Sequence, residues 1–163
     1  MIRRAFALSA AVALAACQAT AGTYDLKNNA GAAAGTVTLT EAPKGVLIKV
    51  EATGLTPGWH GLHLHEKADC SKSDFTSAGG HTHGGGDRIH GLLNPDANET
   101  GDLPNLWAGA DGTAKAEVFT TLVTLKTLKD SDGSSVLIHA AADDHKSQPI
   151  GGAGARVACA EVK

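Results

Sequence analysis

The segment Trp59-His60-Gly61-Leu62-His63-Leu64-His65 decides how the chain folds. Successive side chains of a β-strand point to opposite faces, so His63 and His65 share one face and Leu62 and Leu64 the other. The leucine face suits an apolar core. The other face offers two imidazoles two residues apart, a pair able to hold one metal ion. His60 has the opposite parity and is expected to be a hydrogen-bonded structural histidine. An H-x-H strand is a weak signal alone and fits two solvent-facing histidines equally well, so the surrounding chain has to decide.

Further β-like runs lie on either side, at Thr36–Thr40, Val46–Ala52, Ala114–Leu128 (two strands), Val136–Ala140 and Arg156–Val162. Turn signals separate them: Pro43-Lys44-Gly45, Thr56-Pro57-Gly58, Asp111-Gly112 and Asp132-Gly133. No amphipathic helix is expected. Hydrophobic residues make up 42% of the 163 but aromatics only 4%, so the core must be built from Val, Leu, Ile and Ala. Twenty glycines fit a chain with many turns. These features predict one all-β domain, a sandwich or barrel. The net charge of −3 gives no basic surface for nucleic acid.

From Glu66 to Gly112 the pattern stops, and Gly, Asp, Asn, Pro and His dominate. Loops of this length inside a compact domain are usually functional or disordered. His65 stands at its edge, with His81, His83 and His90 inside it. Ser77-Ala78-Gly79-Gly80-His81 places an imidazole after a glycine pair, and Gly101-Asp102-Leu103-Pro104-Asn105 adds a carboxylate. Val136-Leu137-Ile138-His139 ends an apolar strand on another histidine. Metal ligation would give the loop a reason to be ordered.

The first segment reads as an address. Arg3 and Arg4 precede an apolar run from Ala5 to Ala16, too short to span a bilayer and suited to a secretory signal. Leu14-Ala15-Ala16-Cys17 has the form of a bacterial lipobox, with Cys17 lipidated, while Ala19-Thr20-Ala21 offers cleavage before Gly22. The lipobox is preferred because it gives Cys17 a role. The leader is assigned to residues 1–21 and the domain to 22–163. Either cut removes two positive charges and takes the net charge from −3 to −5. Cys70 and Cys159 then remain, either bonded in an oxidising compartment or left as two buried thiols.

Taken in order, the H-x-H strand, the Cys70 loop, S-A-G-G-H, H-G-L-x-N-P, G-D-L-P-N and G-A-R-V-A-C resemble the exported bacterial branch of the copper–zinc superoxide dismutase family, from about Thr36 to Val162. The resemblance implies a Greek-key β-sandwich or barrel of about eight antiparallel strands with long metal-binding loops. It implies copper on His63, His65, His81 and His139, with His81 bridging to zinc. His90 and Asp102 match further zinc ligands, and Asp143 matches an acid that hydrogen-bonds histidines of both sites. Arg156 matches the arginine that attracts superoxide, so His81 and Arg156 are the catalytic pair. Cys70 and Cys159 match the intrasubunit disulfide. The implied setting is the periplasm, with a possible homodimer and, through Cys17, a lipid anchor.

Two departures stand out. The third zinc histidine is expected two residues before Gly101, where this chain has Glu99. Glu can ligate zinc through oxygen, so a weaker or altered zinc site is expected. After His81 the family has a bulky aromatic and Asn-Pro, whereas this chain has Thr82-His83-Gly84-Gly85-Gly86. His83 could serve as a replacement ligand, but an exposed loop histidine is the expected reading. These changes motivate an alternative function, a periplasmic copper-binding or sequestering protein with little dismutase activity.

Overall fold

A computed structural model describes residues 20–163. The expected leader cleavage after residue 16 and lipidation of Cys17 therefore lie outside the described residues. Among the described residues nine strands form one sheet, all pairs antiparallel: β1 (Ala21–Asn28), β2 (Ala33–Ala42), β3 (Gly45–Ala52), β4 (Gly58–His60), β5 (Leu62–His65), β6 (Leu106–Ala108), β7 (Ala114–Thr120), β8 (Ser134–His139) and β9 (Arg156–Val162). The spatial order is β4-β6-β7-β3-β2-β1-β9-β8-β5.

The two edge strands, β4 and β5, are consecutive in the chain and separated by one residue, Gly61. Passing from one edge to the other in a single residue requires the edges to lie together, so the sheet rolls into a nearly closed barrel. Gly61 is suited to that crossing, since a Cβ there would meet Ala153 Cβ at 2.8 Å. The crossing also splits the segment expected as one strand from Trp59 to His65.

The core is aliphatic, as composition required. Val37 and Leu39 of β2, Val46, Ile48 and Val50 of β3, Leu62 and Leu64 of β5, and Val136 and Ile138 of β8 are fully buried within it. Each buried aliphatic side chain of this size contributes roughly 1.5–3 kcal/mol. The alternation that sends Leu62 and Leu64 inward sends His63 and His65 to the other side of the barrel wall.

Three elements differ from the sequence expectation. β1 and β6 were not anticipated as strands. The end of the Ala114–Leu128 run is not a second strand but a short helix, α1 (Leu125–Leu128), capped by reciprocal bonds between Thr124 and Thr127. Leu125 and Leu128 are buried there at helical spacing.

The long loop is ordered. Cys70 is disulfide-bonded to Cys159 across 89 residues, with Cα atoms 6.0 Å apart. Thr82 donates its N–H to the Leu64 carbonyl, and Leu64 to that of Gly101, so both halves of the loop lie against β5. Single bridges pair His65 with His81, His63 with Asp102 and His83 with Glu99.

Candidate metal centre

His63 and His65 leave β5 on one face. His139 arrives beside them because its N–H bonds to the Gly61 carbonyl, and His81 because its backbone bridges to His65. All four rings are buried, and donor atoms of the four lie within 4.8 Å of one another. The His63 and His81 ring centroids are 4.0 Å apart.

One nitrogen of each ring is accounted for. His65 Nδ1 lies 3.0 Å from the Gly79 carbonyl and His139 Nδ1 3.0 Å from that of Gly154. His63 Nε2 lies 2.8 Å from Asp143 Oδ2. These acceptors require an N–H at each position, which leaves a lone pair on the opposite nitrogen. His81 Nδ1 faces two carboxylates, described below. The remaining nitrogens, His63 Nδ1 and the Nε2 atoms of His65, His81 and His139, are buried with no hydrogen-bond partner. Burial holds His63 down to about 4 and His139 to about 3, with His65 well below the imidazole norm for the same reason. A buried unpaired nitrogen costs roughly 1–3 kcal/mol. Four in one cluster fit a bound metal and lack another use.

The second cluster lies on the far side of His81. His81 Nδ1 is 2.6 Å from Glu99 Oε2 and 3.0 Å from Asp102 Oδ1. His90 Nδ1 is 3.1 Å from Glu99 Oε2 and 2.9 Å from Asp102 Oδ1. Atoms of His63, His81, His90 and Asp102 also fall within 4.8 Å of one another. However, His63 commits Nε2 to Asp143, and the other carboxylate oxygen beside His81 and His90 is Glu99 Oε2. Burial opposes charge on His81 and His90, but the carboxylates of Asp102, Glu99 and, for His90, Asp143 outweigh it. They raise His81 and push His90 up to about 11. Burial would raise the acids, yet these imidazoles hold Glu99 and Asp102 below the usual carboxylate range.

Asp143 joins the clusters. Its Oδ2 accepts from His63 Nε2, and its Oδ1 lies 3.1 Å from His90 Nε2. Arg156 donates to the carbonyls of Phe75 and Gly79 at 2.6 Å each. Gly79 thus accepts from both Arg156 and His65. The guanidinium charge lowers His65 and His139 further, which places it within electrostatic reach of the first cluster. A surface depression beside it is lined by Asp74, Thr76, Gly154 and Arg156.

His60 bonds the carbonyls of His139 and Thr56, a structural role as expected. His83 turns away from both clusters, with Nδ1 accepting from Gly85 N–H at 3.1 Å. Arg88 pairs with Glu66. Sequence reasoning missed Gln148, which bonds both the N–H and the carbonyl of His90 at 2.9 Å, and the carbonyls of Gly79 and Gly154. Carbonyls leave no side-chain signal.

The profile of the copper/zinc superoxide dismutase family matches residues 33–162. A Cu-Zn superoxide dismutase from Caulobacter vibrioides is 59% identical over 144 residues, covering 85% of this chain and 83% of its own. One from Photobacterium leiognathi is 38% identical, covering 82% of this chain and 80% of its own. Among solved structures, a superoxide dismutase-like protein from Bacillus subtilis has TM-score 0.81 at 34% identity, covering 88% of this chain and 100% of its own. The Cu/Zn superoxide dismutase of Brucella abortus has TM-score 0.74 at 33% identity, with coverage of 88% and 100%.

Proposed function

The chain belongs to the copper/zinc superoxide dismutase family, and we propose that it converts two superoxide ions and two protons to dioxygen and hydrogen peroxide at the four-histidine cluster. Bound copper supplies the one-electron couple on which that reaction runs. His63 Nδ1 and the Nε2 atoms of His65, His81 and His139 would hold copper. His81 Nδ1, His90 Nδ1, Asp102 and Glu99 would hold zinc, a site with two carboxylates where the family has one. When not engaged by the metal, His81 Nε2 would carry one of the two protons to the reduced product, with solvent supplying the other. Arg156 draws the anion in against a negative chain. Asp143 fixes His63 and His90 together.

The observation that carries this reading is the set of four unpartnered buried nitrogens converging in one cluster. The alternative, copper sequestration without turnover, is not favoured. Metal analysis and superoxide turnover on one purified sample, with and without zinc, test it. We expect one copper per chain and rapid superoxide loss; a copper-loaded but inactive protein would overturn it.

The disulfide supports export to an oxidising compartment such as the periplasm. β1 begins at Ala21, and the Thr20 carbonyl accepts from Glu41 N–H at 2.8 Å. Cleavage before Gly22 would cut into that strand, whereas cleavage before Cys17 leaves it whole. This supports the lipobox and a lipid anchor on Cys17, which mass spectrometry of the mature protein tests. Trp59 of β4 and Trp107 of β6 stand side by side, each 54% exposed, with ring centroids 5.0 Å apart. Such an apolar face supports a homodimer, and sedimentation of Trp107→Arg tests it: we expect a shift from dimer to monomer.

A further inference from the structure

The segment after Asp143 contains a third imidazole that the metal clusters do not use. His145 has a left-handed backbone, φ 61°, uncommon for a residue with a side chain. Its N–H donates to Asp143 Oδ1 at 2.6 Å, and its carbonyl accepts from Leu93 N–H at 3.1 Å. Gly91 packs so closely against that carbonyl that a Cβ there would collide with it. His145 therefore ties Asp143 to the segment that follows His90.

The ring's protonation follows from Asn105. Asn105 Oδ1 accepts from Asp143 N–H at 2.9 Å, and its Nδ2 donates to the Asp143 carbonyl at 2.8 Å. This reciprocal pair fixes the amide orientation. Nδ2 can then only donate to His145 Nε2, 3.3 Å away. That nitrogen carries the lone pair, so the proton sits on Nδ1. Nδ1 is buried without a hydrogen-bond partner, and Asp143 Oδ2 lies 3.4 Å from it. Three imidazoles thus converge on one buried carboxylate: His63, His90 and His145.

We propose that His145 is a positioning residue: its backbone N–H holds Asp143 Oδ1, and its ring, docked on Asn105 with Nδ1 facing Asp143 Oδ2 at 3.4 Å, sets the electrostatic surroundings of the other oxygen, and so the orientation of His63 and His90 across the two metal clusters. It rests on the assignment of copper and zinc to those clusters. Groups that orient metal ligands from outside the coordination sphere commonly carry 10–100-fold in metal affinity.

His145→Gly is the informative variant. Glycine adopts the same φ and keeps the N–H bond to Asp143, so only the side chain is removed. We expect zinc to be lost to a chelator about tenfold more readily. The Cu(II) electron paramagnetic resonance spectrum should shift towards that of zinc-free protein. In metal-free protein the Nε2–H proton resonances of His63 and His90 should shift. Should wild-type protein take up no zinc, the metal assignment fails, and the proton resonances alone then decide the role of His145. Wild-type zinc retention together with unmoved resonances would overturn the proposal.

Discussion

Glu99 Oε2 lies 2.6 Å from His81 Nδ1, on the edge of the ring opposite the unpartnered Nε2. The residue that departs from the family pattern therefore touches the histidine shared by both clusters. Its carboxylate adds negative charge and removes an imidazole, a donor well suited to zinc. We predict that Glu99→His binds zinc more tightly than wild type, and that Glu99→Ala binds it 10–100-fold more weakly. Chelator competition measures both. Unchanged affinity in both variants would mean that Glu99 is not a ligand.

Arg156 has two tasks, and two substitutions separate them. In the proposed reaction its charge would attract the anion, and its forked donors hold the carbonyls of Phe75 and Gly79. Arg156→Ala should lower the second-order rate with superoxide at least tenfold and flatten its dependence on ionic strength. Arg156→Lys keeps the charge but not the fork, so salt dependence should persist while the loop loosens. Stopped-flow rates over a range of salt concentrations distinguish them.

Replacing both cysteines, Cys70→Ser with Cys159→Ser, should lower stability by ~2–5 kcal/mol, because the bridge closes a loop of 89 residues. Cys70 also receives support through its N–H, which donates to Glu161 at 2.9 Å. Urea unfolding of the metal-loaded forms measures the difference.

The metal-free protein should be most stable near pH 6.5. Burial holds His63 at about 4 and His139 at about 3, against 6.5 for an ordinary imidazole. As pH falls below 6.5 the unfolded chain gains those protons and the folded chain does not, so stability drops, by ~3 kcal/mol for His63 alone. His90 acts oppositely. Raised to about 11, it contributes fully below 6.5 and progressively less as pH climbs towards 11. Thermal melts of metal-free protein from pH 4 to 9 should trace a maximum. A steady rise to pH 9 would contradict the assigned ionisation states.

Much of this centre was legible in the chain. Period-two alternation separated His63 and His65 from Leu62 and Leu64, and motif spacing identified Glu99 as the odd residue. β1 was missed because Leu26 alone is fully buried in it and the strand abuts the segment expected to be a leader. β6 was hidden by its three residues. α1 read as a strand because Leu122-Val123-Thr124-Leu125 looks β-like until Thr124 and Thr127 cap the turn. His145 gave no signal, since its role depends on Asn105, 40 residues earlier in the chain.

The central claim is that four imidazoles hold a copper ion that turns over superoxide. Copper titrated into zinc-loaded protein, with superoxide loss followed at each addition, tests it most directly. The rate should rise linearly and break at one copper per chain, and His63→Ala should abolish the rise. No acceleration, or the same acceleration in His63→Ala, would contradict the account.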